Sequence, residues 1–189
     1  MKKGEKQGTV ALIGAGPGHP GLITRLGYDL MQQSDAVVYD DLISDELIVP
    51  LIGKKELFYV GKRSGFHSNT QDEINELLVD LAKSGKNVSR LKGGDPLIFG
   101  RVGEEIRILQ ENNISFSIIP GITAGSAAAA GSKFSLTDRR SSSWVMMATG
   151  HEAESTSKSV SWKEIGDLKG GTIVVYMGVG QIERIVCEL

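Results

Sequence analysis

Three glycine-containing turns stand where backbone atoms could meet a ligand. They read GAGPGHPG at residues 14–21, KGGDPLIFGR at residues 92–101 and PGITA at residues 120–124. Each follows a short apolar segment of strand type, and glycine lets the backbone approach a ligand because it has no side chain. Turn geometry alone explains one such segment, since tight turns need residues that tolerate positive φ. Three in one predicted sheet indicate a shared ligand-binding edge.

The first turn partly matches the dinucleotide-binding pattern GxGxxG. Gly14 and Gly16 take its first two glycine positions, and Asp40, at the end of the next predicted strand, imitates the acid that binds a ribose. The third glycine position holds His19. Two nearby prolines delay the following helix, so its N-terminus cannot lie close behind the second glycine. A nicotinamide-dependent oxidoreductase therefore stays an alternative that needs a fingerprint this sequence lacks.

The elements that position these turns alternate between strand-like and helix-like patterns, which predicts an α/β fold. The predicted strands are short and apolar, as in a parallel five-stranded sheet covered on both faces: residues 9–13, 36–39, 57–60, 88–91 and 115–119. The helices predicted between them cover residues 22–33, 71–84 and 103–112. Thr70 and Glu73 predict a capping box at the start of the second helix.

The domain organisation follows from where this first sheet is complete. We expect a loose arm at residues 1–8, an N-terminal α/β domain at 9–119 and a second α/β domain at 120–189. The second domain is predicted to hold an alanine-rich helix, two strands and a closing helix: residues 123–131, 144–148, 172–177 and 181–189. Two strands are too little sheet for independent stability, so we expect this domain to be incomplete.

Composition narrows the classes of function. The chain has 21 Lys and Arg against 23 Asp and Glu, which leaves no broad basic field for nucleic acid or for an anionic membrane. One cysteine excludes an internal disulfide framework, and the three histidines have no metal-ligand spacing. The sequence has no signal-peptide pattern and no apolar run of about 18 residues. We therefore expect a cytoplasmic protein without a metal.

Five motifs in fixed order identify a known family. GAGPGHPGLIT, VVYDDLIS, VGKRSGFH, RLKGGDPLIFGRVGEE and PGITAGSAAAAG resemble the tetrapyrrole methylases, in particular the branch that acts on uroporphyrinogen III. The resemblance is dense from residue 10 to about residue 131 and continues more thinly through ATGH and VVYMG. It implies two α/β domains, a homodimer, and S-adenosylmethionine in the cleft between the domains, with S-adenosylhomocysteine as the product. It also implies methylation of uroporphyrinogen III at C-2 and C-7 to precorrin-2, the branch point toward siroheme and cobalamin.

The resemblance assigns roles to single residues. It implies cofactor contacts at Pro17, Gly93, Gly94, Asp95, Ile98, Thr123, Ala124 and Met177. Asp40 matches the proposed proton acceptor of the family and Lys62 its proposed proton donor. From the residues alone, Asp40 is also a helix cap before Leu42, Asp95 a turn residue and Lys62 a solvated lysine. These interpretations stay open.

Basic residues near the predicted strand ends are candidates to pair with the carboxylates of the substrate. They are Arg63, His67, Lys92, Arg101 and Arg139. A surface salt bridge is the alternative role for each of them. Where the family usually has Ile-Pro-Leu-Thr-His-Arg, residues 134–139 read FSLTDR, and an acid at 138 is unfavourable near a polyanion. Another tetrapyrrole methylase and an inactive, truncated remnant therefore stay as alternatives.

Overall fold

The computed structural model describes residues 7–61, 70–151 and 160–189. These residues form two compact units, one that ends at Ala124 and one that spans Gly125–Leu189. Within the described ranges, every helix is too short or too polar to cross a membrane.

The first unit contains a five-stranded parallel sheet with the strand order β3-β2-β4-β1-β5. Its strands are β1 (Val10–Gly14), β2 (Ala36–Tyr39), β3 (Glu56–Tyr59), β4 (Val88–Lys92) and β5 (Phe116–Ile119). The predicted α/β class and the five parallel strands are confirmed. Residues with branched or aromatic side chains dominate these segments, which suits strands that are buried on both faces.

Helices connect the strands and cover both faces of the sheet. They are α1 (Arg25–Gln33), α2 (Asp45–Ile48), α3 (Gln71–Lys83) and α4 (Val102–Glu111), with 3₁₀ turns at Pro20–Leu22 and Val49–Leu51. The next helix, α5 (Ala124–Gly131), belongs to the second unit from its second residue onward. The predicted capping box of α3 is present. The Glu73 amide donates to Thr70 Oγ1 over 3.2 Å, and the Thr70 amide donates to Glu73 Oε2 over 2.6 Å.

The core lies on the two faces of this sheet. On one face Leu12 and Val38 pack with Leu78 of α3 and Leu109 of α4. On the other face a second buried cluster joins Ile13 and Val37 with Met31 of α1 and Leu47 of α2. Neighbouring residues of a strand point to opposite faces, which is why Leu12 and Ile13 belong to different clusters.

Two sequence predictions differ from the structure at element ends. The helix expected from residue 22 begins at Arg25, because Pro20–Leu22 forms a 3₁₀ turn and Thr24 Oγ1 accepts the Gly27 amide over 3.1 Å as the N-cap. Gly8, expected in the loose arm, is docked on the first unit, where its amide donates to the Ala82 carbonyl over 2.9 Å.

The strand order also bears on the dinucleotide alternative. In a dinucleotide-binding sheet the first strand lies beside the second, in the order 3-2-1-4. Here β4 lies between β1 and β2, with Val88 paired to both Val10 and Ala36. The sheet therefore differs from the dinucleotide-binding fold in topology as well as in the glycine pattern.

The second unit is smaller. It holds the parallel pair β6 (Trp144–Thr149) and β7 (Gly171–Tyr176), a 3₁₀ turn at Val179–Gln181, and the helices α6 (Trp162–Gly166) and α7 (Ile182–Glu188). Its buried cluster is Ala148, Trp162 and Ile185, to which residues of β7 add partly buried side chains. The two predicted strands are confirmed, and the closing helix starts one residue later than predicted.

Candidate functional site

The three glycine turns meet at the carboxyl edge of the first sheet, and their backbones are hydrogen-bonded to each other. We call residues 14–18, 93–95 and 121–124 the glycine rim. The Gly16 amide donates to the Gly94 carbonyl over 3.2 Å, and the Gly94 amide donates to the Gly16 carbonyl over 2.7 Å. The third turn joins through the Gly121 amide, which donates to Asp95 Oδ2 over 2.9 Å. The rim is therefore a connected backbone surface built from three strand ends.

Close backbone packing requires several of its glycines. A Cβ atom on Gly121 would lie 2.2 Å from the Gly94 carbonyl oxygen, and one on Gly14 would lie 2.6 Å from the Gly121 Cα. A Cβ atom on Gly93 would lie 2.7 Å from Leu42 Cβ. Real Cβ contacts are not that short, so side chains are excluded at these positions by the protein itself. For Gly14, Gly93 and Gly121, packing is a sufficient reason for glycine.

Gly94 and Gly18 differ, because open space lies beside them. Gly94 has φ +68°, and a Cβ atom there would have no neighbour closer than the Ala124 nitrogen at 3.7 Å. Gly18 has φ +129° and no neighbour within 4 Å of the corresponding position. Both need glycine for their backbone conformation, and both leave backbone exposed on one side. These are the two places at which the rim offers room for a bound molecule.

The remaining predicted cofactor residues have the following positions. Asp95 uses its side chain as a turn residue, with Oδ1 accepting the Leu97 amide over 2.8 Å and Oδ2 accepting Gly121. The predicted set continues with half-buried Pro17, Ile98 and Thr123, and with exposed Ala124. Met177 belongs to the second unit, where it is exposed and has φ +54°. A positive φ at a methionine is a strained conformation of the kind that occurs at functional positions.

Asp40 follows β2 at the same edge, and both of its carboxylate oxygens have protein partners. Oδ1 accepts the Leu42 amide over 3.1 Å within a turn, whereas the expected helix cap is wrong because the next helix begins at Asp45 with Ser44 as its N-cap. Oδ2 accepts Nη2 of Arg90 over 3.0 Å. About a quarter of the side chain remains exposed, at 24 %. Each carboxylate oxygen has a second lone pair, so Asp40 keeps acceptor capacity that faces outward.

The predicted substrate-binding cations have different surroundings. Lys92 is buried, and its ammonium donates to Glu105 Oε1 over 2.8 Å. Burial lowers the pKa of Lys92, against the opposing attraction of Glu105. Lys92 is therefore occupied inside the first unit and offers no surface cation to a carboxylate. Lys62, Arg63 and His67 lie outside the described residues.

Arg101 is exposed and rigidly held. It has φ +54° and donates to Glu104 through Nε over 2.7 Å and through Nη2 over 2.8 Å. This hydrogen-bonded pair raises the pKa of Arg101 and lowers the pKa of Glu104. Of the five guanidinium hydrogens, the pair uses two, so the outer side of Arg101 can still bind an anion.

The departure at residues 134–139 is compensated locally. Arg139 is exposed. Asp138 accepts the Arg140 amide over 2.8 Å and two guanidinium contacts from Arg140 over 3.1 Å each. The hydrogen bonds from Arg140 lower the pKa of Asp138. The acid that the sequence analysis considered unfavourable beside a polyanion thus has a cation paired to it.

Arg90 and Glu105 are site residues that the sequence analysis missed. Arg90 is 4 % exposed within β4 and Glu105 is fully buried on α4, and they are joined through Arg90 Nε and Glu105 Oε1 over 3.2 Å. A usable signal was present in the sequence. Arg90 and Lys92 are two residues apart at the end of a predicted buried strand, so their side chains leave the same face and require a buried acid.

Comparison with known proteins identifies the family. The model of the tetrapyrrole (corrin/porphyrin) methylases matches residues 9–189. The chain belongs to this family. The family resemblance of the five motifs is thereby confirmed. A tetrapyrrole methylase of Methanocaldococcus jannaschii, a uroporphyrinogen-III C-methyltransferase, is 48% identical over 182 residues, which are 96% of this chain and 74% of that protein.

Two further relatives are a longer protein and a solved structure with a bound cofactor product. The siroheme synthase of Baumannia cicadellinicola is 49% identical over 92% of this chain, which spans only 37% of that longer protein. A solved structure of the uroporphyrin-III C-methyltransferase of Thermus thermophilus, complexed with S-adenosyl homocysteine, has a TM-score of 0.77 and 33% identity. The superposition covers 96% of this chain and 75% of the Thermus thermophilus chain. Several relatives are thus more than twice as long as the described methylase fold.

Proposed function

We propose that this tetrapyrrole methylase transfers methyl groups from S-adenosylmethionine to C-2 and C-7 of uroporphyrinogen III and so forms precorrin-2. The supporting observation is the glycine rim, with Asp40 beside it at one sheet edge, in a chain with 48% identity to a uroporphyrinogen-III C-methyltransferase. Another tetrapyrrole methylase activity is the alternative. The glycine rim would serve it equally, because the rim meets the cofactor rather than the tetrapyrrole.

The described residues fit a cofactor of this kind. Gly18 and Gly94 each have open space beside them, and the same three turns hold the half-buried residues Pro17, Ile98 and Thr123. A site that combines apolar walls with a few backbone polar groups suits a nucleoside with a polar tail. S-adenosylmethionine, when bound, supplies a methyl group on a positively charged sulfur. Gly93, Gly94, Asp95, Ala124 and Met177 complete the proposed contacts.

The residues of the chain then have two tasks in the reaction. The first is to hold the reacting carbon in line with the methyl group and to exclude water, because alignment contributes most of the rate when both reactants are already reactive. The second is to accept the proton that the tetrapyrrole loses after the methyl group has passed from sulfur to the ring carbon, because the methylated ring system would otherwise keep a positive charge. Asp40, which is partly exposed and has free acceptor capacity, is the proposed acceptor. Lys62 is the proposed donor, and Arg63, His67, Arg101 and Arg139 are the proposed partners of the substrate carboxylates.

Methyl transfer is tested directly with labelled cofactor. The chain is incubated with S-adenosylmethionine labelled in its methyl group and with a panel of tetrapyrroles that includes uroporphyrinogen III, and NAD is titrated separately by calorimetry. We expect two labels per uroporphyrinogen III and no heat from NAD. Label in a different tetrapyrrole only would identify the alternative methylase, and NAD binding without cofactor binding would refute the family role.

Asp40→Asn tests the proton acceptor, with Asp41→Asn as its matched control. Asp41 follows Asp40 in the chain and is hydrogen-bonded to the Tyr59 hydroxyl, so the same isosteric change is made one residue away. We expect Asp40→Asn to lower kcat by about 10²-fold or more, as removal of a general base does, and to leave the affinity for S-adenosylhomocysteine within about twofold. Equal losses in kcat and affinity would make Asp40 a binding or structural residue.

We further propose that the protein acts as a homodimer in the cytoplasm. Support comes from the family resemblance and from a composition with one cysteine. Sedimentation equilibrium at several protein concentrations measures the assembly. A single species with the mass of one chain would refute the dimer.

A further inference from the structure

Four charged side chains form a continuous chain beneath the glycine rim. Asp40 Oδ2 accepts Arg90 Nη2 over 3.0 Å, Arg90 Nε donates to Glu105 Oε1 over 3.2 Å, and Lys92 Nζ donates to the same oxygen over 2.8 Å. We call these four residues the buried ion chain. The two acids and two bases alternate in space and their charges cancel.

Burial of these charged groups carries a desolvation cost in folding free energy. The side chains of Arg90, Glu105 and Lys92 are 5 %, 0 % and 6 % exposed, whereas that of Asp40 is 24 % exposed. Glu105 Oε2 is buried and has no hydrogen-bond partner among the described residues. Apolar side chains of similar size often give equal or better stability than buried ion pairs. Stability alone therefore does not account for the buried ion chain.

The contacts of Arg90 fix its guanidinium in one orientation. Nε binds Glu105, Nη1 donates to the Leu91 carbonyl over 2.9 Å, and Nη2 binds Asp40. A planar group held at all three nitrogens cannot rotate, and a lysine could not reproduce this fork. Arg90 lies in β4 and is paired in register with Val38 of β2, which is two residues before Asp40 in the chain. The backbone of Arg90 is therefore fixed beside the strand end that Asp40 follows.

Asp40 is the exposed end of the buried ion chain. Its other oxygen accepts the Leu42 amide, so the carboxylate is held from two sides and its plane is set by Arg90. The neighbouring acid, Asp41, is engaged separately with Tyr59 of β3. The orientation of the Asp40 carboxylate thus depends on a guanidinium that is itself almost completely buried.

We propose that Arg90, held by Glu105, is a positioning residue for methyl transfer, which acts through Asp40. The inference rests on the proposed function, in which Asp40 accepts the proton that the tetrapyrrole loses on methylation. Arg90 holds the carboxylate in one orientation and so directs its free lone pairs toward the substrate. A misplacement of a reacting group by about 1 Å lowers rates by about 10²-fold, so the loss of Arg90 should fall on kcat rather than on cofactor affinity.

The test needs a variant that keeps the fold. Arg90→Met alone leaves Glu105 and Asp40 against Lys92, with one unbalanced buried charge. The double variant Arg90→Met with Glu105→Met removes one base and one acid, so the remaining Asp40 and Lys92 still cancel. Arg90→Lys is the conservative partner, because it keeps the charge and loses the fork. Circular dichroism and thermal melting establish that each variant is folded.

The decisive measurement is a double-mutant cycle with Asp40→Asn. In the wild-type background we expect Arg90→Lys to lower kcat by roughly tenfold and the double methionine variant by roughly 10²-fold, with the affinity for S-adenosylhomocysteine within about twofold. In the Asp40→Asn background the same substitutions should change kcat by less than about threefold, because residues that act as one unit are not additive. The control is Glu56→Gln. It breaks the exposed Lys86–Glu56 pair of the same unit and should leave kcat unchanged.

Three results would overturn the inference, and they differ from one another. The same fall of kcat in both backgrounds would show that Arg90 does not act through Asp40. An unchanged kcat in the folded double methionine variant would show that the fork is not needed. Normal turnover by Asp40→Asn would remove Asp40 as the proton acceptor while methyl transfer itself stands. Absence of methyl transfer in the wild-type chain is a separate outcome, which overturns the proposed function and the role of Arg90 with it.

Discussion

The substitution Gly94→Ala tests whether position 94 needs glycine for its backbone conformation or for cofactor binding. At φ +68° an added Cβ atom costs about 1–2 kcal/mol in backbone strain. Reduced freedom of the unfolded chain offsets about 0.4–1 kcal/mol of this cost. The nearest atom lies 3.7 Å away, so no steric clash adds to it. We expect the free energy of unfolding to fall by about 1 kcal/mol, which leaves the protein folded.

The effect on cofactor affinity should be larger than the effect on stability. The new methyl group enters the open space beside Gly94, which is the proposed position of S-adenosylmethionine. Overpacking of a filled site by one methyl group costs about 1–3 kcal/mol. That corresponds to a roughly fivefold to hundredfold weaker Kd for S-adenosylhomocysteine. Isothermal titration calorimetry measures the affinity, and urea unfolding measures the stability of the same samples.

Gly53→Ala is the matched control. Gly53 has φ +75° and no atom within 4 Å of its Cβ position, so it carries the same strain without a clash. It lies three residues before β3, at the amino ends of the strands, and is thus remote from the glycine rim. We expect the same loss of stability and an unchanged Kd. If both variants bound S-adenosylhomocysteine with the wild-type Kd, Gly94 would be needed only for the turn.

Three further changes test the supports of the site. Gly121→Ala should destabilise the protein by about 3 kcal/mol, because the shift it forces breaks the partly buried hydrogen bond to Asp95 and the rim contacts beside it. A wild-type urea midpoint would contradict this. Burial lowers the pKa of Lys92 below 10.5, so the unfolded chain binds more protons than the folded chain as the pH approaches that value. The stability of the wild-type protein relative to Lys92→Met should therefore increase with rising pH in this range. A difference in unfolding free energy that decreases with pH would contradict this. Thr70→Ala removes the N-cap of α3 and should cost about 1 kcal/mol, seen as a lower thermal midpoint, whereas an unchanged midpoint would mean that Glu73 alone satisfies the helix end.

Local patterns in the sequence were sufficient for the elements of the fold. The capping box at Thr70 and the buried apolar run before Lys92 predicted α3 and β4 to within a residue or two. Such signals depend on neighbours in the chain, so they can be read from one segment. The short helix α2 was missed, since four residues carry too little periodicity to be recognised.

Long-range pairing was not predictable in the same way. The position of β4 between β1 and β2 depends on contacts between distant segments, and nothing in any single strand records them. The same holds for Gly121, whose neighbours Gly14 and Gly94 come from two other turns. The expected helix cap at Asp40 is wrong, because α2 begins at Asp45 with Ser44 as its N-cap, and the contact of Asp40 with Arg90 needed the strand order first.

The position of β4 has a consequence for how the chain is made. β1 leaves the ribosome first, yet both of its neighbours come late, since Val10 pairs with Val88 on one side and with Phe116 on the other. A nascent chain that ends before β4 has β2 and β3 available to pair with each other, while β1 has no partner among the strands already made. Pairings between distant segments form slowly, because a long loop must close before the contact forms.

β4 therefore joins two halves of the sheet that cannot meet without it. The strand that joins the two halves also carries Arg90 and leads into the second glycine turn, so its pairing brings Arg90 beside Asp40, and β5 then adds the third turn. A nascent first unit should gain protease resistance only after β4 and β5 have emerged.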